Sequence, residues 1–308
     1  MNADEYTNQE LMLEVGDGHQ LYVHDWGNPK AKTPIVFLHG GPGSGCKDRY
    51  KLTFDPTIHR VIFHDQRGSG RSTPYGSLEH NTTDKLVEDI EKIAKKLKLP
   101  KFILTGGSWG STLALMYALK HPERVDQLVV RGVFTAQKSE IDWLDHGYFK
   151  LFYPELWQRY EETVPKTHRK DPTAYHAKYI LGTDAPKQIE SAKAYGELES
   201  SIMSIDDRPH PPAAPSEEYD PTFVKLEVGY MQNQCFIPEG YIMKNAHKLT
   251  MPVWIVQGRF DMVCPPATAY ELHQRIKGSR LLWAMAGHGN DRSTYDIVKT
   301  LFLSLAGK

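Results

Sequence analysis

Gly106-Gly107-Ser108-Trp109-Gly110-Ser111 stands between a short apolar run, residues 101–105, and a helix-like stretch, residues 109–119. It fits G-x-S-x-G, in which glycines two before and two after a serine allow a sharp strand-to-helix turn that lifts the hydroxyl off a sheet edge. The same six residues could be a Gly/Ser-rich helix cap, but the strand before and the helix after favour a turn that presents a nucleophile. Outward from this point, β-rich runs occur at 21–26, 35–38, 61–64, 102–104, 128–130, 254–256 and 281–283. The inner runs are apolar at consecutive positions, as strands buried on both faces of a parallel sheet are. Between them, residues 83–97 carry Leu86, Ile90, Ile93, Ala94 and Leu97 at helical spacing, and 295–305 reads as another helix. This alternation predicts an α/β fold with a mostly parallel central sheet.

The alternation stops after about Phe134 and resumes at about Met251. The stretch between is rich in aromatic and charged residues and contains the breaker-laden run from Asp207 to Ser216. A structureless loop of that length inside a compact domain is implausible. Residues 135–250 are therefore expected to form a mostly helical cap inserted into a discontinuous sheet domain made of 1–134 and 251–308. The length of 308 residues fits two such units at about 150 residues each.

Composition narrows the function classes. Lys plus Arg number 37 against 38 Asp plus Glu, a formal net charge of −1, so no global field gathers nucleic acid or anionic membrane. Three cysteines, Cys46, Cys235 and Cys264, lie far apart with no zinc-ligand spacing, which suits free thiols in a reducing cytoplasm. The polar, acidic first residues do not resemble a signal peptide, and no window approaches about 18 uninterrupted apolar residues. A phosphate loop fails by one residue, since Gly40-x4-Gly45 is followed by Cys46 before Lys47. No dinucleotide, metalloprotease or calcium-loop motif is present, so no cofactor and no metal are expected.

A serine needs a base to take its proton and a carboxylate to orient that base. Asp261 follows the run at 253–256, and His288, between Gly287 and Gly289, follows the run at 280–284. Ser108, Asp261 and His288 thus occur in the chain order nucleophile, acid, base, each just past a strand. His39-Gly40-Gly41-Pro42-Gly43 follows another strand, and the N–H groups of Gly41 and Trp109 are the expected donors to a tetrahedral oxyanion. Cys264, three residues after Asp261, reads as a non-catalytic thiol near this site.

Taken together, His39 to Gly43, Asp65-Gln66-Arg67-Gly68-Ser69-Gly70-Arg71-Ser72, Gly106 to Thr112 and Gly258-Arg259-Phe260-Asp261-Met262-Val263-Cys264-Pro265 resemble the proline iminopeptidase family of α/β-hydrolases. The resemblance covers nearly the whole chain. It implies Ser108, Asp261 and His288 as the triad and release of N-terminal proline from peptides with a free N-terminus. It also implies cap glutamates that receive the substrate's amino group: Glu199 in residues 194–199 and Glu227 in residues 225–230, with Tyr230 beside them as a substrate-binding residue. Leu198 stands where the family usually has an aromatic, and Val228-Gly229 replaces a commoner polar pair. Chemistry asks for such residues independently, because holding an ammonium in a partly desolvated cap requires opposed carboxylates. Glu197, Glu217, Glu218 and Glu239 lie in the same region. The leading reading is a cytoplasmic serine exopeptidase. A broader aminopeptidase, amidase or esterase of the same fold is the second, and a catalytically silent hydrolase used as a binding module the third. Oligomeric state is not legible.

Overall fold

A computed structural model describes residues 6–205, 219–289 and 291–306. The run from Asp207 to Ser216, with Glu217 and Glu218, lies outside the described residues.

Eight strands form one sheet in the order β1-β2-β4-β3-β5-β6-β7-β8. They are β1 (Thr7–Gly16), β2 (His19–Gly27), β3 (Ile35–Leu38), β4 (Arg60–His64), β5 (Phe102–Ser108), β6 (Val125–Val133), β7 (Val253–Gly258) and β8 (Arg280–Ala284). From β4 through β8 all pairs are parallel, while β1 and β2 add an antiparallel edge. The sequence reading missed β1, whose residues are mostly exposed and so lack a continuous apolar run. Pairing of β3 with both β4 and β5 puts a reversal of strand order in mid-sheet. In open α/β sheets, ligands bind beyond the strand ends at such a point.

Ten α-helices accompany the sheet among the described residues. They are α1 (Thr83–Lys96), α2 (Trp109–Lys120), α3 (Lys138–Asp145), α4 (Pro154–Glu162), α5 (Pro172–Ile180), α6 (Ala185–Ser201), α7 (Thr222–Gln232), α8 (Tyr241–Asn245), α9 (Pro266–Arg275) and α10 (Arg292–Leu305). The apolar face read in α1 is buried through Leu86, Val87, Ile90, Ile93 and Ala94. Helix α2 is buried at ten of its twelve positions, as a helix lying under a sheet and a cap must be. On the opposite face of the sheet, Val298, Leu301, Phe302 and Leu305 of α10 pack with Trp26, Phe54 and Phe63.

Between β6 and β7 the described residues hold helices and no strand. Two separate apolar clusters sit there, one around Tyr195, Val224 and Val228, the other around Phe149, Trp157 and Leu198. Packing puts the return to the main body earlier than residue 250. Cys235, Ile237, Ile242, Met243 and Leu249 belong to the cluster that includes α1 and α2. Composition could not reveal this, because a helix that covers the body and one that covers the cap are both amphipathic.

Candidate active site

Ser108 ends β5 and begins α2 with φ 57° and ψ −132°, a backbone conformation that L residues rarely adopt. Close approach makes the turn possible: a Cβ on Gly110 would lie 2.3 Å from the Leu38 carbonyl oxygen. Trp109 is the first helical residue, and its N–H has no intrahelical acceptor. Gly41 lines the same cavity as Ser108. The Trp109 indole is fully buried and donates to Gln66 Oε1 at 2.9 Å, while Gln66 Nε2 donates to the His39 carbonyl at 2.9 Å. Gln66 therefore fixes the two candidate oxyanion loops relative to each other. His39 is buried and neutral in function: its Nδ1 donates to the Gly40 carbonyl and its Nε2 accepts from the Gln66 N–H at 3.0 Å. Burial holds its imidazole below the ordinary histidine range.

Asp261 is 1% exposed and accepts four hydrogen bonds. Its Oδ1 takes the N–H groups of Val263 (3.0 Å) and Cys264 (2.8 Å). Its Oδ2 takes Gln257 Nε2 (3.0 Å) and His288 Nδ1 (2.9 Å). With Nδ1 turned to the carboxylate, the imidazole presents Nε2 as its available base. The ring fits because Gly132 has no side chain; a Cβ there would sit 3.0 Å from His288 Cε1. Gln257, on β7, was not singled out in the sequence, yet it also accepts the Val133 N–H at 2.8 Å and donates to the Cys264 carbonyl at 3.0 Å. A glutamine in a strand carries no spacing signal, since Val133 is 124 residues away.

Cys264 lines the cavity beside Ser108, and burial pushes its thiol well above the usual range. It is held protonated and is no nucleophile.

The cap closes over these loops through three separate attachments. On α3, Trp143 Nε1 donates to the Met262 carbonyl in the acid loop at 2.7 Å. Beyond α6, the Met203 carbonyl accepts the Gly289 N–H at 2.7 Å, and Ser204 Oγ donates to Asp291 at 2.6 Å, both in the histidine loop. Helix α7 lies on the glycine loop after β3, where a Cβ on Gly43 would meet Leu226 Cβ at 3.0 Å. Glu199 and Glu227 reach the same cavity from α6 and α7. Burial pushes both above the usual carboxylate range; the Glu199 charge adds to the rise at Glu227, and the nearby His288 moderates it at Glu199. Glu227 is 2% exposed and its Oε2 has no hydrogen-bond partner.

Tyr230 departs from expectation. It is 1% exposed, donates to Asn81 Oδ1 at 2.8 Å and stands edge-on to Trp109 with centroids 4.9 Å apart, behind the elbow and away from the cavity. Three residues along a helix leave an offset of about 60° from Glu227, enough to turn the ring toward α2. Among the described residues no cluster of three or more His, Cys, Asp or Glu is arranged to hold a metal, and no helix is long and apolar enough to cross a membrane.

Residues 33–290 match the α/β hydrolase fold family model. Solved structures share the fold at low identity. An esterase from Exiguobacterium antarcticum aligns with TM-score 0.62 and 21% identity over 97% of this chain and 100% of that one. An α/β fold family hydrolase from Bacillus anthracis aligns with TM-score 0.65 and 16% identity over 97% and 99%. Sequence relatives are nearer. A proline iminopeptidase of Xylella fastidiosa is 37% identical over 90% of each chain. A proline iminopeptidase of Arabidopsis thaliana is 39% identical over 85% of this chain and 70% of its own. At that similarity over most of its length, the chain belongs to the proline iminopeptidase family of α/β hydrolases.

Proposed function

We propose that this protein is a serine exopeptidase that releases proline from the N-terminus of peptides. The observation that carries the reading is the pairing of half-buried Glu199 with buried Glu227, whose Oε2 has no partner, in the cavity that also holds Ser108. The names of the relatives support the same substrate. Phe134, Leu144 and Met231 give that cavity apolar walls suited to a pyrrolidine ring.

In the proposed cycle, the prolyl ammonium sits between the two glutamates and donates its two N–H groups to them. His288 Nε2 takes the Ser108 proton as Oγ attacks the prolyl carbonyl, and the oxyanion is held by the N–H groups of Gly41 and Trp109. His288 then protonates the departing peptide amine, leaving a prolyl ester on Ser108. Water, deprotonated by His288, hydrolyses that ester and releases proline. Asp261 holds the imidazole throughout. The three free cysteines suit a reducing cytoplasm.

The test is kcat/KM for chromogenic amides of Pro, Ala, Leu and N-acetylated Pro. Preference for free Pro over all others is expected. Efficient cleavage of the N-acetylated amide would move the function to an endopeptidase or amidase, and equal rates for Pro and Leu would make it a broad aminopeptidase.

A further inference from the structure

The loop that supplies one of the two oxyanion donors is weakly held by its own backbone. Gly41 has φ 107°, a region that glycine enters and residues with side chains rarely do. Among the described residues its N–H has no acceptor, so the donor is free. From Gly40 to Gly45 one backbone–backbone hydrogen bond closes the turn among the described residues, from the Ser44 N–H to the Gly40 carbonyl at 3.4 Å. A donor in so soft a turn stabilises an oxyanion only where something outside the loop fixes its direction.

The first turn of α7 is in place to do so. A Cβ on Gly41 would lie 3.0 Å from Phe223 Cε2, so the edge of that ring fills the space where a side chain would begin. A Cβ on Gly43 would lie 3.2 Å from the Phe223 carbonyl oxygen. Leu226, one turn on, also meets the loop after β4, where a Cβ on Gly68 would lie 3.1 Å from its Cδ2. The half-buried Phe223 packs as well against the cap cluster that holds Tyr195, Val224 and Val228. One ring thus touches both the cap core and the Gly41 backbone. Phe223 is not among the described residues that line the cavity, whereas Gly41 is. It is four residues from Glu227, on the same face of α7, so the helix that presents a carboxylate to the cavity also rests on the oxyanion loop.

We propose that Phe223 is a positioning residue: its ring holds the Gly41 peptide in the orientation that points the N–H at the developing oxyanion. The proposal rests on Gly41 as an oxyanion donor, as in the cycle above, and does not require proline as the substrate. Two inhibitors that carry no amine test it. A simple alkyl trifluoromethyl ketone takes Ser108 Oγ onto its carbonyl carbon; the Ser108 proton passes to His288, and the carbonyl π pair moves to the oxygen that enters the hole. The matching carbinol fills the same space and forms no oxyanion. Phe223→Leu keeps an apolar side chain in the cap cluster but lacks the ring edge. It is expected to weaken the ketone about tenfold, less than the loss of a whole donor, and to leave the carbinol unchanged. For a simple acyl ester, kcat should fall about tenfold with KM unmoved. Phe223→Met, whose longer chain reaches Gly41 again, should restore most of both losses. Circular dichroism verifies that both variants fold. Equal losses for ketone and carbinol would make Phe223 a cap-packing residue and overturn the proposal. Parental values in Phe223→Leu, or no recovery in Phe223→Met, overturn it too. A parent that fails to cleave prolyl amides, with the ketone–carbinol difference intact, removes the exopeptidase reading and leaves the role of Phe223 standing.

Discussion

Along the sheet edge, Asp261 accepts four hydrogen bonds, and Gln257 and Gln66 bridge neighbouring loops with both ends of their amides. Across the same cavity, the cap wall leaves Glu227 Oε2 and the Tyr195 hydroxyl without any partner. One network is closed before substrate arrives, and the other is completed by it. A closed network holds the reacting groups in place with no reorganisation during the reaction. An open one makes affinity depend on what the ligand brings, because an unsuitable ligand leaves buried groups unpaired. Changes on the sheet edge should therefore affect every substrate alike, and changes on the cap wall should separate substrate classes.

Ser108→Ala gives the largest expected effect, a loss of about 10⁶-fold in kcat for amides and esters together, judged from the serine-protease precedent. The fold should survive, as circular dichroism can verify. Asp261→Asn should cost about 10⁴-fold by favouring the wrong imidazole tautomer, again on both substrate classes. Rates near the parent's in either variant would remove the triad.

Glu199→Gln and Glu227→Gln should divide the substrates. Charge-assisted hydrogen bonds of this kind contribute roughly 1.5–3 kcal/mol each, so kcat/KM for prolyl amides should fall about 10- to 100-fold. Simple esters, which bring no cation, should be hydrolysed as by the parent. The pH dependence has a definite sign. Both carboxyl groups are raised by burial, so the pair holds protons at low pH and loses them as pH rises. KM for prolyl amides should accordingly fall with rising pH until the prolyl amine itself loses its proton, while KM for esters stays flat. Equal losses on both substrate classes would assign the glutamates to cap structure.

Gln257→Leu belongs to the sheet edge and should lower kcat about tenfold for amides and esters alike, with KM little changed. It also leaves the Val133 N–H buried and unpaired, a cost of about 1–3 kcal/mol measurable by denaturant unfolding. That residue marks the limit of what could be read from the chain. Ser108, Asp261 and His288 were legible because a strained turn and two loops after strands impose glycine and spacing patterns. Gln257 and Gln66 act through partners distant in sequence, and their residue type leaves no periodic trace. Strand β1 was missed because an exposed edge strand has no apolar run, and α9 because a ten-residue helix between two strands is short of a full amphipathic signal. In the cap, Glu199 and Glu227 were singled out only through family resemblance, and Tyr230 faces α2 instead of the cavity because helical spacing does not reveal which neighbour a face meets.

The smallest effect tests the connection between the two networks. Trp143 Nε1 donates to the Met262 carbonyl and so ties α3, with Leu144 and Asp145 on the cavity wall, to the loop that carries Asp261. Trp143→Phe removes that one hydrogen bond and keeps an aromatic ring in the cluster with Leu198 and Phe149. A neutral hydrogen bond contributes about 0.5–1.5 kcal/mol, so stability should drop by about that amount. Asp261 keeps all four of its own donors, and kcat should change little on any substrate. The wall facing the N-terminal residue loses one of its anchors, so KM for prolyl amides should rise about two- to tenfold while ester KM is unmoved. Steady-state kinetics on the two substrate classes measures both quantities. A fall in kcat shared by amides and esters would mean that the cap helps to set the acid loop's geometry, and the division between a closed edge and an open wall would have to be redrawn at Met262.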